Sequence, residues 1–183
     1  RALARMGQLQ EAAPQFVAAG AVRYGGALLA LPAMLALGLL EAGEQAYGSL
    51  KNGFYGLRAT LLMLTFMALL RLRTPEQLQG HPPGELGVLL GLDRAPEVKT
   101  LRRKLWELTA RQQAARFSRQ LTQRWVSENA QAVGLLYVDG HVRPYHGTTH
   151  KLPKAWVARR RLCMPATTDI WVNQQDAQPL FVG

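Results

Sequence analysis

The sequence has little cysteine and little negative charge, and both shortages narrow what the chain can be. Its single cysteine, Cys163, excludes a disulfide framework and a cysteine-rich zinc site, and it suits a reducing compartment, so we expect a cytoplasmic protein. Only 12 acidic side chains stand against 22 lysines and arginines, and the net charge of +10 favours an acidic partner. The sequence also lacks a glycine-rich phosphate loop and a Ser-His-Asp order of catalytic residues, and we expect no small-molecule cofactor.

The apolar runs are too short for an ordinary membrane-spanning helix, which needs about 20 residues. The run Tyr24–Leu40 has 17 uncharged residues but contains Pro32 and three glycines, and the run Leu61–Leu70 has only 10 residues. We therefore expect two or three helices packed as a soluble bundle, and no membrane partner. A small membrane protein with two apolar helices is the alternative.

The basic excess is concentrated in the middle of the chain. Residues 1–70 carry a net charge of +2, residues 71–161 a net charge of +10 and residues 162–183 a net charge of −2. Helical patterns also give way to strand patterns near residue 130. These two changes predict three regions: an apolar helical region at 1–72, a basic region at 73–130 and a strand-rich region at 131–183.

The basic region has the order of a helix-turn-helix. Thr74-Pro75-Glu76 supplies the cap, first-turn proline and first-turn acid of a short helix. A second short helix is predicted at about Gly84–Leu90, a turn at Gly91–Ala95, and a longer helix that begins at Pro96-Glu97.

The longer helix is predicted to have two different faces. Its apolar residues recur at three- and four-residue spacing and should face a core: Val98, Leu101, Leu105 and Leu108. Lys99, Arg102 and Arg103 share another face, with Lys104 beside them. The last helix of a helix-turn-helix enters the major groove of double-stranded DNA, where such cations contact phosphates and guanine edges. A solvated basic face on an ordinary amphipathic helix is the other interpretation.

A connecting helix should follow, because Phe117, Leu121 and Trp125 recur at four-residue spacing until about residues 127–129. Each tryptophan lies in an apolar, periodic setting, which predicts that these side chains anchor cores: Trp106, Trp125, Trp156 and Trp171. The apolar neighbours of Cys163 predict a buried thiol.

From Val133 onward the pattern is that of strands. The continuously apolar run Val133–Val138 predicts a strand buried on both faces that ends at Asp139-Gly140. Carboxylates gathered at strand ends bind Mg²⁺ in phosphoryl-transfer sites, whereas Asp-Gly is also a strong hairpin-turn dipeptide. Both interpretations remain open from these residues alone. Further strands are predicted at 142–147, 156–164, 170–172 and 180–182.

Two more groups of side chains have open interpretations. Arg159 and Arg161 should share one face of a strand near Lys151 and Lys154, as phosphate contacts or as a solvated strand edge. Three histidines lie within ten residues and either ligate a transition metal or face solvent: His141, His146 and His150.

Several segments resemble bacterial transposases of the Asp-Asp-Glu type, which have a ribonuclease H-like catalytic core. They are Asn-Gly-Phe-Tyr-Gly-Leu-Arg at 52–58, Gly-Leu-Asp-Arg-Ala-Pro-Glu-Val-Lys-Thr-Leu-Arg-Arg-Lys-Leu at 91–105, and Leu-Tyr-Val-Asp-Gly-His-Val at 136–142. The last segment continues into Lys-Leu-Pro-Lys at 151–154 and Ala-Thr-Thr-Asp at 166–169. The similarity extends from about Gly25 onward.

The resemblance implies a DNA partner and a metal-dependent reaction. It implies that Asp139 is the first catalytic, metal-binding aspartate, that Mg²⁺ is the cofactor, and that the intact enzyme cleaves phosphodiesters and transfers strands in DNA transposition. It also implies that the helices before Asp139 serve DNA binding or assembly, so that a homo-oligomer on DNA is expected. The fold class that follows is α+β, an N-terminal helical region with a helix-turn-helix followed by the first strands of an incomplete ribonuclease H-like domain.

The carboxylates after Asp139 depart from that pattern. Only 44 residues follow it, no glutamate occurs after Glu128, and Asp169 and Asp176 stand too early for the second metal ligand. We therefore expect the N-terminal part of a transposase, truncated within its catalytic domain and inactive alone. A non-catalytic DNA-binding protein or the remnant of a decayed transposase is the alternative.

Overall fold

Helices come first and an antiparallel sheet follows, which confirms the predicted α+β class. The computed structural model describes residues 2–6, 8, 13, 18, 20–51, 53–128, 130, 134–175 and 179–183. The chain divides into two compact units, Arg1–Phe117 and Ser118–Gly183.

The α-helices follow the predicted order along the chain. They are α1 (Ala2–Arg5), α2 (Leu31–Ala36), α3 (Leu39–Tyr47), α4 (Leu57–Leu69), α5 (Pro83–Leu89), α6 (Val98–Ala110) and α7 (Ala114–Glu128). Short 3-10 helices occupy Gly25–Ala30, Pro75–Gly80 and Ala158–Arg160. Thr74 closes a capping box with Gln77 at the start of the second of these, as the threonine-proline start signal predicts.

The core of the first unit is built around α4. The apolar side chains of α4 point in all directions around the helix and do not form a single stripe, as expected of a helix that is buried. Met63 and Phe66 are each only 1% exposed. They pack in one cluster with residues from the predicted basic region: Leu78, Leu86, Leu89, Ala95 and Leu101. The apolar helices therefore form the support on which α5 and α6 rest.

No single helix in the described part of the chain is long and apolar enough to cross a membrane, although Gly25–Ala36 and Leu39–Tyr47, bent by 61°, reach that length and composition as a pair.

The connection between α5 and α6 folds back onto α5. The Leu92 N–H donates to the Gly87 carbonyl at 2.9 Å, and the Ala95 N–H donates to the Pro83 carbonyl at 2.7 Å. Gly87 is buried at this crossing, and a Cβ there would lie 2.6 Å from the backbone N and C atoms of Arg94. Glycine is therefore required at this position because the turn passes over the helix backbone.

Substitution of Gly87 by alanine should lower the free energy of unfolding by about 1–3 kcal/mol, since backbone must move to admit the methyl group. Chemical denaturation followed by circular dichroism measures the change. Gly84→Ala, in the same helix, is the matched control because its Cβ would meet only Asp93 O at 3.7 Å. Equal stability of the two variants would contradict the close crossing.

The sheet of the second unit is centred on one long strand. Its strands are β1 (Leu136–Pro144), β2 (Lys154–Val157), β3 (Leu162–Gln174) and β4 (Pro179–Val182), and every pairing is antiparallel. β1 pairs with one side of β3 along residues 166–174. β2 and β4 pair with the other side, near the two ends of β3. The predicted strand character at 170–172 and 180–182 is confirmed.

The second unit also contains most of α7, and the boundary between the units falls within this helix. Leu121 is buried, and Phe117 and Trp125 are half-buried, as the four-residue spacing predicts. The Thr122 hydroxyl donates to the Leu180 carbonyl, which ties the helix to β4.

The predicted strand end at Asp139 is wrong. β1 continues through Asp139 and Gly140 without a turn, and its ladder runs unbroken from Leu136 opposite Gln174 to Pro144 opposite Ala166. The alternative hairpin at Asp139-Gly140 is therefore wrong as well, and the separate strand predicted at 142–147 begins inside β1. Val133 lies outside the described residues. The described part of the run is not buried on both faces, because Tyr137 and Val138 are 53% and 69% exposed.

Four further predictions about the second unit are corrected. Residues 156–164 do not form one strand, because Ala158–Arg160 forms a 3-10 turn and Arg161 has a positive φ of 53°. Arg159 and Arg161 thus lie in a hairpin connection and not on one strand face. Trp156 is 57% exposed, so it does not anchor a core. Cys163, paired opposite Trp156, is an exposed thiol.

Candidate nucleic-acid interface

The outer face of α6 is basic. Lys99, Arg102 and Arg103 are exposed, as predicted, and their spacing places them on one side within about two helical turns. The opposite side holds the helix in place, because Leu101 is only 1% exposed and Val98 packs against the same core. The two predicted faces of this helix are therefore confirmed, with three cations facing away from the protein core.

A tryptophan lies on the same outer face. Trp106 follows Lys99 by seven residues and Arg102 by four, and it is 78% exposed. The predicted core role of Trp106 is wrong. Its spacing from the three cations could have identified its position, because residues separated by three, four and seven share a helix face.

Arg102 is held by an acid outside α6. Its Nη2 lies 2.6 Å from Glu76 Oε1, next to the capped start of the 3-10 helix Pro75–Gly80. The pKa of Glu76 lies below its ordinary value, chiefly because its carboxylate accepts a hydrogen bond from its own backbone N–H, with Arg102 and Thr74 adding to the effect against a desolvation that raises it. The contact orients Arg102, and both side chains remain largely exposed.

Lys104 lies on the other side of the helix, away from the three cations. Only 6% of its side chain is exposed, and its ammonium donates to the Lys51 carbonyl at 3.1 Å and to Glu107 at 3.3 Å. Glu107 also accepts the Lys51 backbone N–H at 2.5 Å and lies 3.6 Å from Arg111. Lys104 is thus used to join α6 to the loop before α4, and we do not include it in the interface.

The pKa of Glu107 lies below the ordinary value of a glutamate side chain. Burial by itself would raise the pKa of Glu107, but the Lys51 N–H, the Lys104 ammonium and Arg111 together outweigh it and lower the pKa. Arg111 in turn donates to the Tyr47 carbonyl and, at 2.6 Å, to the Ser49 carbonyl. The carbonyl groups at the end of α3 are satisfied in this way, so the network stabilises a helix end.

A second group of exposed cations lies in the other unit. Arg159, Arg160 and Arg161 occupy the connection between β2 and β3, and Lys151 and Lys154 precede it; all five are exposed. The left-handed backbone at Arg161 lets the connection turn tightly. Arg159 and Arg161, two of the predicted phosphate contacts, therefore lie together at the tip of one hairpin. They are far from the cations of α6 in sequence.

Asp139 lies in the middle of β1 with an exposed side chain. It stands opposite Trp171, while its neighbour on the same face, His141, stands opposite Asp169. Asp139 and Asp169 are therefore diagonal neighbours on one face of the sheet. The two carboxylates have different partners: Asp139 accepts the Gly140 N–H at 2.8 Å, and Asp169 is ion-paired with Arg143 at 2.5 Å.

These residues do not by themselves fit a complete magnesium site. Among the residues that the structure describes, no three His, Cys, Asp or Glu side chains lie close enough together to hold a metal ion. Asp139 offers one carboxylate, and the charge of Asp169 is neutralised by Arg143. The same observation weighs against the alternative in which His141, His146 and His150 ligate a transition metal. Asp176 lies outside the described residues.

A protein-family model described as a transposase protein matches residues 1–183 of the sequence. No curated protein and no solved structure matches the chain.

Proposed function

Because the chain belongs to a family of transposase proteins, we propose that it recognises transposon-end DNA through the outer face of α6. The observation that carries this proposal is the exposed row of Lys99, Arg102 and Arg103 on a helix whose other side is fixed in a core. Cations held in this way pair with DNA phosphates and release counterions, and arginines also reach guanine edges.

The elements around α6 support a helix-turn-helix. α5 is short, the turn is packed against Gly87, and α6 is the longer helix with the basic outer face. In such motifs the second helix lies in the major groove and the first crosses the DNA backbone. We therefore assign α6 the role of recognition helix.

The test of this proposal is binding of the chain to a mixed-sequence DNA duplex at increasing salt concentration. Electrostatic binding should weaken steeply between about 50 and 200 mM salt. If the chain does not bind the duplex, or if its affinity does not change with salt, the assignment of α6 as a DNA-binding helix is refuted. The cations at the tip of the β2–β3 hairpin, Arg159 and Arg161, are proposed as additional phosphate contacts in the same assay.

The second unit is proposed to belong to a ribonuclease H-like domain. What supports this is the position of Asp139 on the first strand of an antiparallel sheet, with its carboxylate exposed. We propose Asp139 as one ligand of a Mg²⁺ ion. The described side chains near Asp139 do not complete the ligand set. When bound, such a metal would activate the attacking oxygen in phosphodiester cleavage. Asp139 itself would contribute negative charge at a fixed point on the sheet.

Asp139→Asn should lower Mg²⁺-dependent nicking of duplex DNA at least about 100-fold and leave DNA affinity unchanged, because the isosteric amide removes only the ligand charge. A gel assay of nicked plasmid measures the rate. Glu41→Gln is the matched control, since it neutralises an exposed carboxylate in the first unit. Full activity of the Asp139 variant would refute the proposed metal ligand, and a wild type that binds DNA without nicking it would favour the non-catalytic alternative.

Family membership also leads us to propose that several copies assemble on DNA in the cytoplasm. The mass of the protein–DNA complex, measured by light scattering, tests the assembly. A single copy per DNA duplex at saturating protein concentration would contradict it.

A further inference from the structure

Trp106 is an unusual residue for a helix surface. It is 78% exposed, the second-largest exposure among the large hydrophobic side chains described. An indole offers about 150–250 Å² of surface that water hydrates poorly, so its burial against a ligand would be favourable. The side of α6 that packs in the protein does not use it, because Leu101 and Lys104 occupy that side.

The surroundings of Trp106 select the chemistry of that contact. Arg102 and Arg103 precede it by one helical turn and Lys99 by two, all exposed. The one acid within α6, Glu107, is turned inward to Lys104 and Arg111. An apolar protein partner would have to bury Lys99 and Arg103 with no acid of α6 to pair them, beside Arg102, which is paired with Glu76. A polyanion that also has apolar groups satisfies both features of the surface.

We propose that Trp106 packs directly against DNA, on deoxyribose and thymine methyl groups, in the groove entered by α6. This inference rests on the proposed function and adds a specific role to it. The three cations supply the part of the affinity that salt screens, and Trp106 supplies an apolar part that salt does not screen. DNA presents such groups in the major groove, where the thymine methyl is accessible to apolar side chains.

The experiment is the salt dependence of binding to a mixed-sequence duplex for the wild type, Trp106→Ala, Trp106→Phe and Leu29→Ala. Leu29 is the matched control, because it is 86% exposed on the 3-10 helix Gly25–Ala30 of the same unit. We expect Trp106→Ala to bind about tenfold more weakly at every salt concentration with an unchanged slope, Trp106→Phe to bind with intermediate affinity, and Leu29→Ala to match the wild type. The wild type should also show quenching of tryptophan fluorescence on DNA that Trp106→Phe lacks.

Each outcome separates this inference from the proposed function. Wild-type affinity in both Trp106 variants, with unchanged quenching, overturns the tryptophan contact and leaves the basic face in place. A wild type that binds no DNA overturns the proposed function itself. An equal loss in Leu29→Ala assigns the effect to exposed apolar surface in general and overturns the contact. The unfolding midpoints of the free variants should equal that of the wild type, since Trp106 is largely exposed.

Discussion

A chain with alanine at Lys99, Arg102 and Arg103 should bind duplex DNA roughly two to three orders of magnitude more weakly than the wild type at about 0.1 M salt. Each phosphate contact adds about 0.9 to the steepness of the plot of log affinity against log salt concentration, so three lost contacts make that slope shallower by about 3. The affinities of the two proteins should converge as salt approaches 1 M. Fluorescence anisotropy of a labelled duplex measures both quantities.

The control for this experiment removes the same charge from elsewhere in the chain. Lys51, Arg116 and Arg119 are exposed, and Lys51 takes part in the network at α6 only through its backbone. The Lys51→Ala, Arg116→Ala, Arg119→Ala protein therefore has the same net charge as the α6 variant. If both variants lose affinity equally, the binding depends on overall charge and the assignment of α6 fails.

The two faces of α6 could be predicted because helical spacing alone determines which residues share a side. Val98, Leu101 and the three cations were assigned in this way, and the structure places them accordingly. Lys104 could not be assigned from spacing. Its burial depends on Glu107 and on the Lys51 carbonyl, 53 residues away along the chain, and local patterns contain no information about such a partner.

The strands were predicted less well, for a physical reason that β1 illustrates. A run such as Leu136–Val138 shows only that the chain prefers extended backbone. Whether Asp139-Gly140 turns or continues depends on the partner strand, and here β3 is long enough to pair with all nine residues of β1. The hairpin at Arg159–Arg161 was missed because its tight turn uses a non-glycine residue with positive φ.

The network around Lys104 gives the largest expected effect on stability. Lys104 and Glu107 have side chains that are 6% and 14% exposed, so each needs the other's charge. A buried pair contributes little net stability against two apolar residues, but removal of one partner leaves an uncompensated buried charge. The single and double variants should therefore behave very differently.

Glu107→Gln should lower the free energy of unfolding by about 3 kcal/mol at neutral pH, and Lys104→Met combined with it should recover much of that loss. Urea denaturation of the four proteins of this cycle measures the coupling; additive losses would show that the two charges do not interact. The pH dependence gives a second measurement. Because the folded-state pKa of Glu107 is lowered, its contribution is present above the unfolded-state value of about 4.3 and is lost as the pH falls through the lower folded-state pKa. The wild type should lose stability in that acidic range more steeply than Glu107→Gln, and parallel pH profiles would refute the role of this carboxylate.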